Sequence, residues 1–185
     1  MILALDLGTE MGFAYGSLRG RVESCGNFSL GSPSSIKADR KTRMDRRLDS
    51  RAPYLYEWLK VLHFAHDFKW ITFEDVQFSS TTQQTQLWAT WRTVVWLFAA
   101  HYNIQTECCP VQTLKKFATG RGGADKDLMA IALSRIYSNE FFLEDGKIHW
   151  IGHAPKLFLS DDGVDAVHLL NWSRSVLANT EKRNG

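Results

Sequence analysis

The chain has 185 residues, 44% of them hydrophobic and 23% charged, with a net charge of +2; this suits one domain with a substantial core and excludes a disordered chain. Three cysteines, Cys25 and the adjacent Cys108 and Cys109, exclude a disulfide framework because one is always left over, which fits a reducing compartment. The apolar run after Met1 is too short for a signal segment and no later run reaches a membrane span, so a cytoplasmic protein with no membrane partner is expected.

Residues 2–6, ILALD, read as a short buried strand. The alternation through GFAYGSL and RVESCGNFSL, turning at Arg19-Gly20, reads as an antiparallel hairpin. LGSPSS at 30–35 is a loop by composition. Met44, Leu48, Leu55, Trp58, Leu59 and Leu62 then fall near helical spacing, with Pro53 as a kink or break. The stretch Lys37–Arg51 carries seven basic and three acidic residues, either a positive field for a polyanion or a solvated helix face with paired charges. WITFEDVQF, from Trp70 to Phe78, reads as a central strand, followed by the apolar helix LWATWRTVVWLFAAHY. IQTECC before Pro110 is a fifth strand, and a short helix around VQTLKKFA leads to the Gly-rich TGRGGADK. A helix near 125–137, an irregular stretch NEFFLEDGKIHWIGHAPKLFL and a final helix from about Asp161 to Leu177 complete the pattern. No linker or repeat divides residues 1–178, and the tail 179–185 is expected to fray. Strands and helices in this order describe an α/β fold with a mixed sheet flanked by helices, in which chemistry sits at strand ends.

Acidic residues interrupt the apolar runs at three distant places. Asp6 ends the first strand, Glu74 lies in the fourth, and Asp162 and Asp165 fall at i and i+3 on the last helix. A carboxylate among apolar residues is costly unless something binds it. A divalent cation with a preference for oxygen ligands, Mg²⁺ or Mn²⁺, explains all four together, whereas zinc finds no Cys/His cluster of suitable spacing. Each acid also has a local alternative. Asp6 could cap a turn before Gly8, and Glu74 could pair with a buried arginine such as Arg92. Asp161 and Asp162 would gain about 0.3–1 kcal/mol from the helix dipole alone. His168, one turn beyond Asp165, is either a water-positioning base or a half-buried helix residue.

Four segments, LALDLGTEMGFAYG, ITFEDVQF, PVQTLKKFATGRGGADKDLM and DDGVDAVHLL, resemble in that order the signature segments of the RuvC-type Holliday junction resolvases of the ribonuclease H-like superfamily. The resemblance implies a ribonuclease H-like, five-stranded mixed sheet and a structure-selective DNA endonuclease. By motif position Asp6, Glu74, Asp162 and Asp165 would bind two Mg²⁺, replaceable by Mn²⁺, and activate water against the scissile phosphate, leaving 5′-phosphate and 3′-hydroxyl ends. Gly120-Arg121-Gly122-Gly123-Ala124-Asp125-Lys126 matches the family's G-x-G-x-A-x-K pattern, which makes Lys126 a catalytic phosphate partner and Lys115 a second DNA-contacting lysine. Lys116, Arg121, Lys37, Arg40, Lys41, Arg43, Arg46 and Arg47 would add phosphate contacts, and Phe78 stands near the aromatic wedge that family members insert into the junction.

Departures from the family pattern include Arg92-Thr93 where Arg-Gly is usual, and a longer stretch before the last acids; with the basic segment these suit a bacteriophage member in DNA recombination or repair. Paired nicks in a pseudo-symmetric four-way junction predict a homodimer. Trp88, Trp91, Val95 and Phe98 at helical spacing are either its interface or plain core. Other branched DNA, such as flaps, is a further expected partner. Two rival readings are a branched-DNA-binding module that does not cut, and a relative of the actin-like ATPases, whose first phosphate loop DLGTEMG also resembles.

Overall fold

The computed structural model of the protein describes residues 1–31, 49–75, 81–151 and 157–184. Met44, Leu48, Phe78 and the basic residues Lys37, Arg40, Lys41, Arg43, Arg46 and Arg47 lie outside the described residues.

Strands β1 (Ile2–Asp6), β2 (Glu10–Gly16), β3 (Ser24–Ser29), β4 (Trp70–Asp75) and β5 (Gln105–Pro110) form one sheet in the order β3-β2-β1-β4-β5. The first three strands are antiparallel neighbours, and β4 and β5 run parallel to β1. This is the mixed five-stranded sheet expected from the sequence. Parallel pairing requires long crossovers, and helices α1 (Arg51–His66) and α2 (Thr82–His101) supply them. Pro53 does not kink α1: it is the third residue, where the amide has no helical acceptor in any case. The N-cap of α2 is Thr81, whose side chain accepts from Gln84 N.

Strand alternation separates two cores. Leu3 and Leu5 of β1 with Ile71 and Phe73 of β4 face α1 and α2, where Leu55, Leu59, Trp91, Val95 and Phe98 are buried against them. Trp91, Val95 and Phe98 are at most 2% exposed, so the aromatic stripe read as a candidate interface is core; a full ring or branched side chain removed from water contributes about 1.5–3 kcal/mol. The opposite face, with Ile2 and Ala4, is covered by α3 (Val111–Thr119), α4 (Lys126–Ile136) and the 24-residue α5 (Asp161–Asn184).

Two expectations are corrected. The last helix continues to Asn184 instead of ending near Leu177, as its final turns contain no helix breaker and carry Lys182 and Arg183 at the negative end of the dipole. The stretch read as irregular forms a second sheet, antiparallel in the order β6 (Phe141–Glu144), β7 (Lys147–Trp150), β8 (Leu157–Leu159). Its first turn is Asp145-Gly146, with φ of 51° and 72°, the pair of left-handed residues a tight hairpin demands. Phe141, Ile148, Trp150 and Leu159 point from this sheet into the α4/α5 core. Among the described residues no helix is long and apolar enough to cross a membrane.

Candidate functional site

The parity of the strands decides where the acids point. On β1, Ile2 and Ala4 face α5, so Asp6 continues that face at the strand end. On β4, Ile71 and Phe73 face the other way, which puts Thr72 and Glu74 toward α5 as well. The Thr72 and Ser173 hydroxyls, 2.5 Å apart and fully buried, tie that face of β4 to α5. Ser173 is eleven residues, about three helical turns, beyond Asp162, so both lie on the sheet-facing side of the helix. Asp165 lies one turn after Asp162.

Gly12 fixes the approach. It is the register partner of Asp6 on β2, and a Cβ there would collide with the backbone carbonyl of Asp162. The first turn of α5 therefore rests directly on strand backbone, with Gly163 against Asn27 and Gly26 of β3. A glycine inside a strand pattern signals such close approach, and the sequence contained that signal in EMGFAYG.

The four acids act on one another. Burial raises Asp6 well above the usual carboxylate range, with further upward pressure from Glu74, Asp165 and Asp162. Glu74, 8% exposed, is pushed up to about 7 by burial and by Asp165 and Asp162, against the lowering influence of Lys115. Asp165 is raised to about 6, again chiefly by burial and against Lys115. Asp162 is also raised by burial, with Lys126 opposing. Among the described residues none of the four carboxylates makes a side-chain hydrogen bond or an ion pair within 4 Å, so the local alternatives for Asp6 and Glu74 do not hold. Arg92 instead approaches Asp75, at 3.9 Å, and lies against the Trp88 and Trp96 rings.

Cations border the acids on one side. Lys115 on α3 is half-buried, and Lys126 opens α4 directly after its N-cap Asp125. Both line a cleft of about 80 Å³ with Met129, Asp161, Val164 and Asp165. Lys126 Nζ bonds Asp161 Oδ2 at 2.6 Å, which separates Asp161 from Asp162: the former faces outward to a lysine, the latter inward to Asp6. Lys116 and Arg121 are exposed nearby in sequence, on α3 and in the Gly-rich turn that follows Gly120 (φ 80°). His168 is fully buried, its Nε2 on the Met129 carbonyl and its pKa lowered by burial, so it takes the buried-helix role and not that of a base beside the acids.

The donor set fits a hard divalent cation, being oxygen-only, partly buried and short of positive charge. As they stand, no three His, Cys, Asp or Glu side chains among the described residues are gathered tightly enough to hold one.

Comparison with solved structures places the architecture. The T. thermophilus RuvC bound to a Holliday junction substrate superposes with a TM-score of 0.65 at 14% identity, over 91% of this chain and 89% of that one. The fold is that of the RuvC resolvases. A second Thermus thermophilus RuvC structure gives 0.64 at 13% identity, over 97% and 96% of the two chains. The yeast mitochondrial Holliday junction resolvase gives 0.63 at 14% identity, over 99% of this chain and 81% of that one. No family model and no curated protein sequence matches the chain. Within this RuvC fold, the four segments with motif resemblance occupy β1–β2, β4, α3–α4 and the start of α5.

Proposed function

We propose that the protein is a divalent-metal-dependent endonuclease that resolves four-way DNA junctions, and other branched DNA such as flaps, by paired nicks. The observation that carries this reading is the convergence of Asp6, Glu74, Asp162 and Asp165 from three distant segments on one face of a RuvC-type fold, with none of them in an ion pair among the described residues and Lys115 and Lys126 alongside. These carboxylates would hold a pair of Mg²⁺ ions, or Mn²⁺ in their place, and the bound metal would supply an activated water and positive charge against the departing 3′-oxygen.

The chain's own groups do the rest. Lys126 and Lys115 draw the scissile phosphate toward the acids and offset its charge; Lys126 is released from Asp161 when phosphate takes its ammonium. Lys116 and Arg121 hold the flanking backbone, as do Arg40, Lys41, Arg43, Arg46 and Arg47, while Phe78 is the wedge that enters the junction. A junction has two equivalent strands to cut, so two copies of the chain act on it as a homodimer.

Cleavage of labelled four-way junction, flap and linear duplex in Mg²⁺ and in EDTA tests the reading. Symmetric nicks in the junction, lost in EDTA and reduced at least about a hundredfold by Asp6→Asn or Glu74→Gln, are the expected result. Cutting that survives either substitution at the wild-type rate overturns the site. One other reading is a branched-DNA-binding module that does not cut; junction binding without cleavage in either metal would establish it.

A further inference from the structure

The second sheet carries an aromatic row on the side away from its core. Phe142, His149 and Phe158 are register partners across β6, β7 and β8, so all three project from the same face. Phe142 and His149 stack with centroids 5.1 Å apart, and His149 meets Phe158 edge-on at 6.2 Å. Phe158 ends the row and is 47% exposed. The exposed Lys147 lies with its ammonium 5.2 Å from the centroid of that ring. A phenyl ring left half in water costs solvation free energy, and here, among the described residues, His149 meets its edge and the Lys147 ammonium lies over its face.

We propose that Phe158 is a stacking site for one unpaired base of the DNA strand that enters or leaves the carboxylate site, with Lys147 moving from the ring to the neighbouring phosphate. This rests on the nuclease reading above. The occupant follows from the chemistry of the two groups: an aromatic face with an ammonium over it matches a nucleotide, which brings a π-face for the ring and a phosphate for the cation it displaces. Position supports it independently. Phe158 is four residues before Asp162, and four residues of chain span at most about 14 Å. At about 3.4 Å per nucleotide along a strand, Phe158 lies within roughly four nucleotides of a phosphate at the acids. A paired base cannot offer its face there, so the site favours frayed or branched DNA over duplex.

The test uses binding, without cleavage, in EDTA. A single-stranded oligonucleotide carrying 2-aminopurine and a duplex of the same length are titrated into wild type, Phe158→Ala, Phe158→Trp and Lys147→Ala. The expected result is quenching by wild type and Phe158→Trp, single-strand affinity about tenfold weaker in Phe158→Ala, and duplex affinity unchanged. Lys147→Ala should weaken single-strand binding and flatten its salt dependence while quenching persists at saturation. Equal losses on both DNAs, no loss in Phe158→Ala, or no single-strand binding by wild type overturns the proposal. The two readings fail separately. Phe158-dependent binding with no cleavage would sink the nuclease alone, and metal-dependent cleavage with an inert Phe158→Ala would sink the stacking site alone.

Discussion

Burial sets Glu74 at about 7 and Asp165 at about 6, against ordinary values of 4.5 and 3.8. A carboxyl with a raised pKa keeps its proton in the folded chain where the unfolded chain has already lost it. Without metal, stability therefore falls as pH rises from about 4 to about 7 and levels off above, the reverse of what a salt-bridged aspartate does. In EDTA the midpoint of thermal unfolding should be several degrees higher at pH 5 than at pH 8, as far as these groups contribute. Mg²⁺ should raise the midpoint at pH 8 and do little at pH 5, where protons compete for the same oxygens. Asp6→Asn, which replaces the carboxyl that burial and its acidic neighbours disfavour in charged form by a neutral amide, should stabilise the metal-free chain at pH 8; scanning fluorimetry across this grid checks all three, and a pH-independent response to Mg²⁺ would contradict them. The acids were legible in the sequence because an ionisable group inside an apolar run has few inexpensive explanations. Their partners were less so: the Asp161–Lys126 pair joins residues far apart in the chain, and nothing local distinguishes Asp161 from Asp162.

At the level of elements, the main sheet was readable because β1, β2 and β4 are apolar runs buried on both faces, and α2 carries the long apolar stretch LWATWRTVVWLFAAHY. The small sheet was not. Its strands have only four, four and three residues, below the length at which alternation stands out, and Trp150 and Leu159 reach the core only once α4 and α5 are in place. One local signal did exist, the Asp-Gly pair flanked by FFLE and KIHW. Gly146 has φ of 72° and open space where a Cβ would stand, so Gly146→Ala costs strain without a clash. A loss of about 1 kcal/mol is expected, seen as a midpoint lower by a few degrees, with Asp145→Gly close to neutral. A larger loss would mean that the turn is held by more than its backbone conformation.

Across the whole molecule a net charge of +2 conceals an uneven surface. Lys115, Lys116, Arg121 and Lys126 lie on or between α3 and the start of α4, the two elements bordering the acids. Junction affinity should fall linearly on a double-logarithmic plot against salt, and replacing Lys116 or Arg121 with alanine should each reduce the slope by about one. Filter binding from 50 to 300 mM salt measures it, and an unchanged slope would remove that residue from the phosphate path. At the opposite end of the sheet, tertiary ties that no sequence window contains join α5 to the β2 exit and to the end of α4. The buried Arg174 of α5 donates to the Ser17 and Arg21 carbonyls beyond β2 and to the Tyr137 hydroxyl after α4.

The contact at Gly12 has a consequence for how the chain tolerates change. Main chain meets main chain there, so the separation between the end of β1 and the head of α5 is governed by peptide dimensions that no amino-acid replacement elsewhere alters. A bulkier residue at Gly12 would push the head of α5 off the sheet and carry Asp162 away from Asp6. The stop lies in backbone geometry, so the same shape is met in solved folds that share only 13–14% of their residues with this chain.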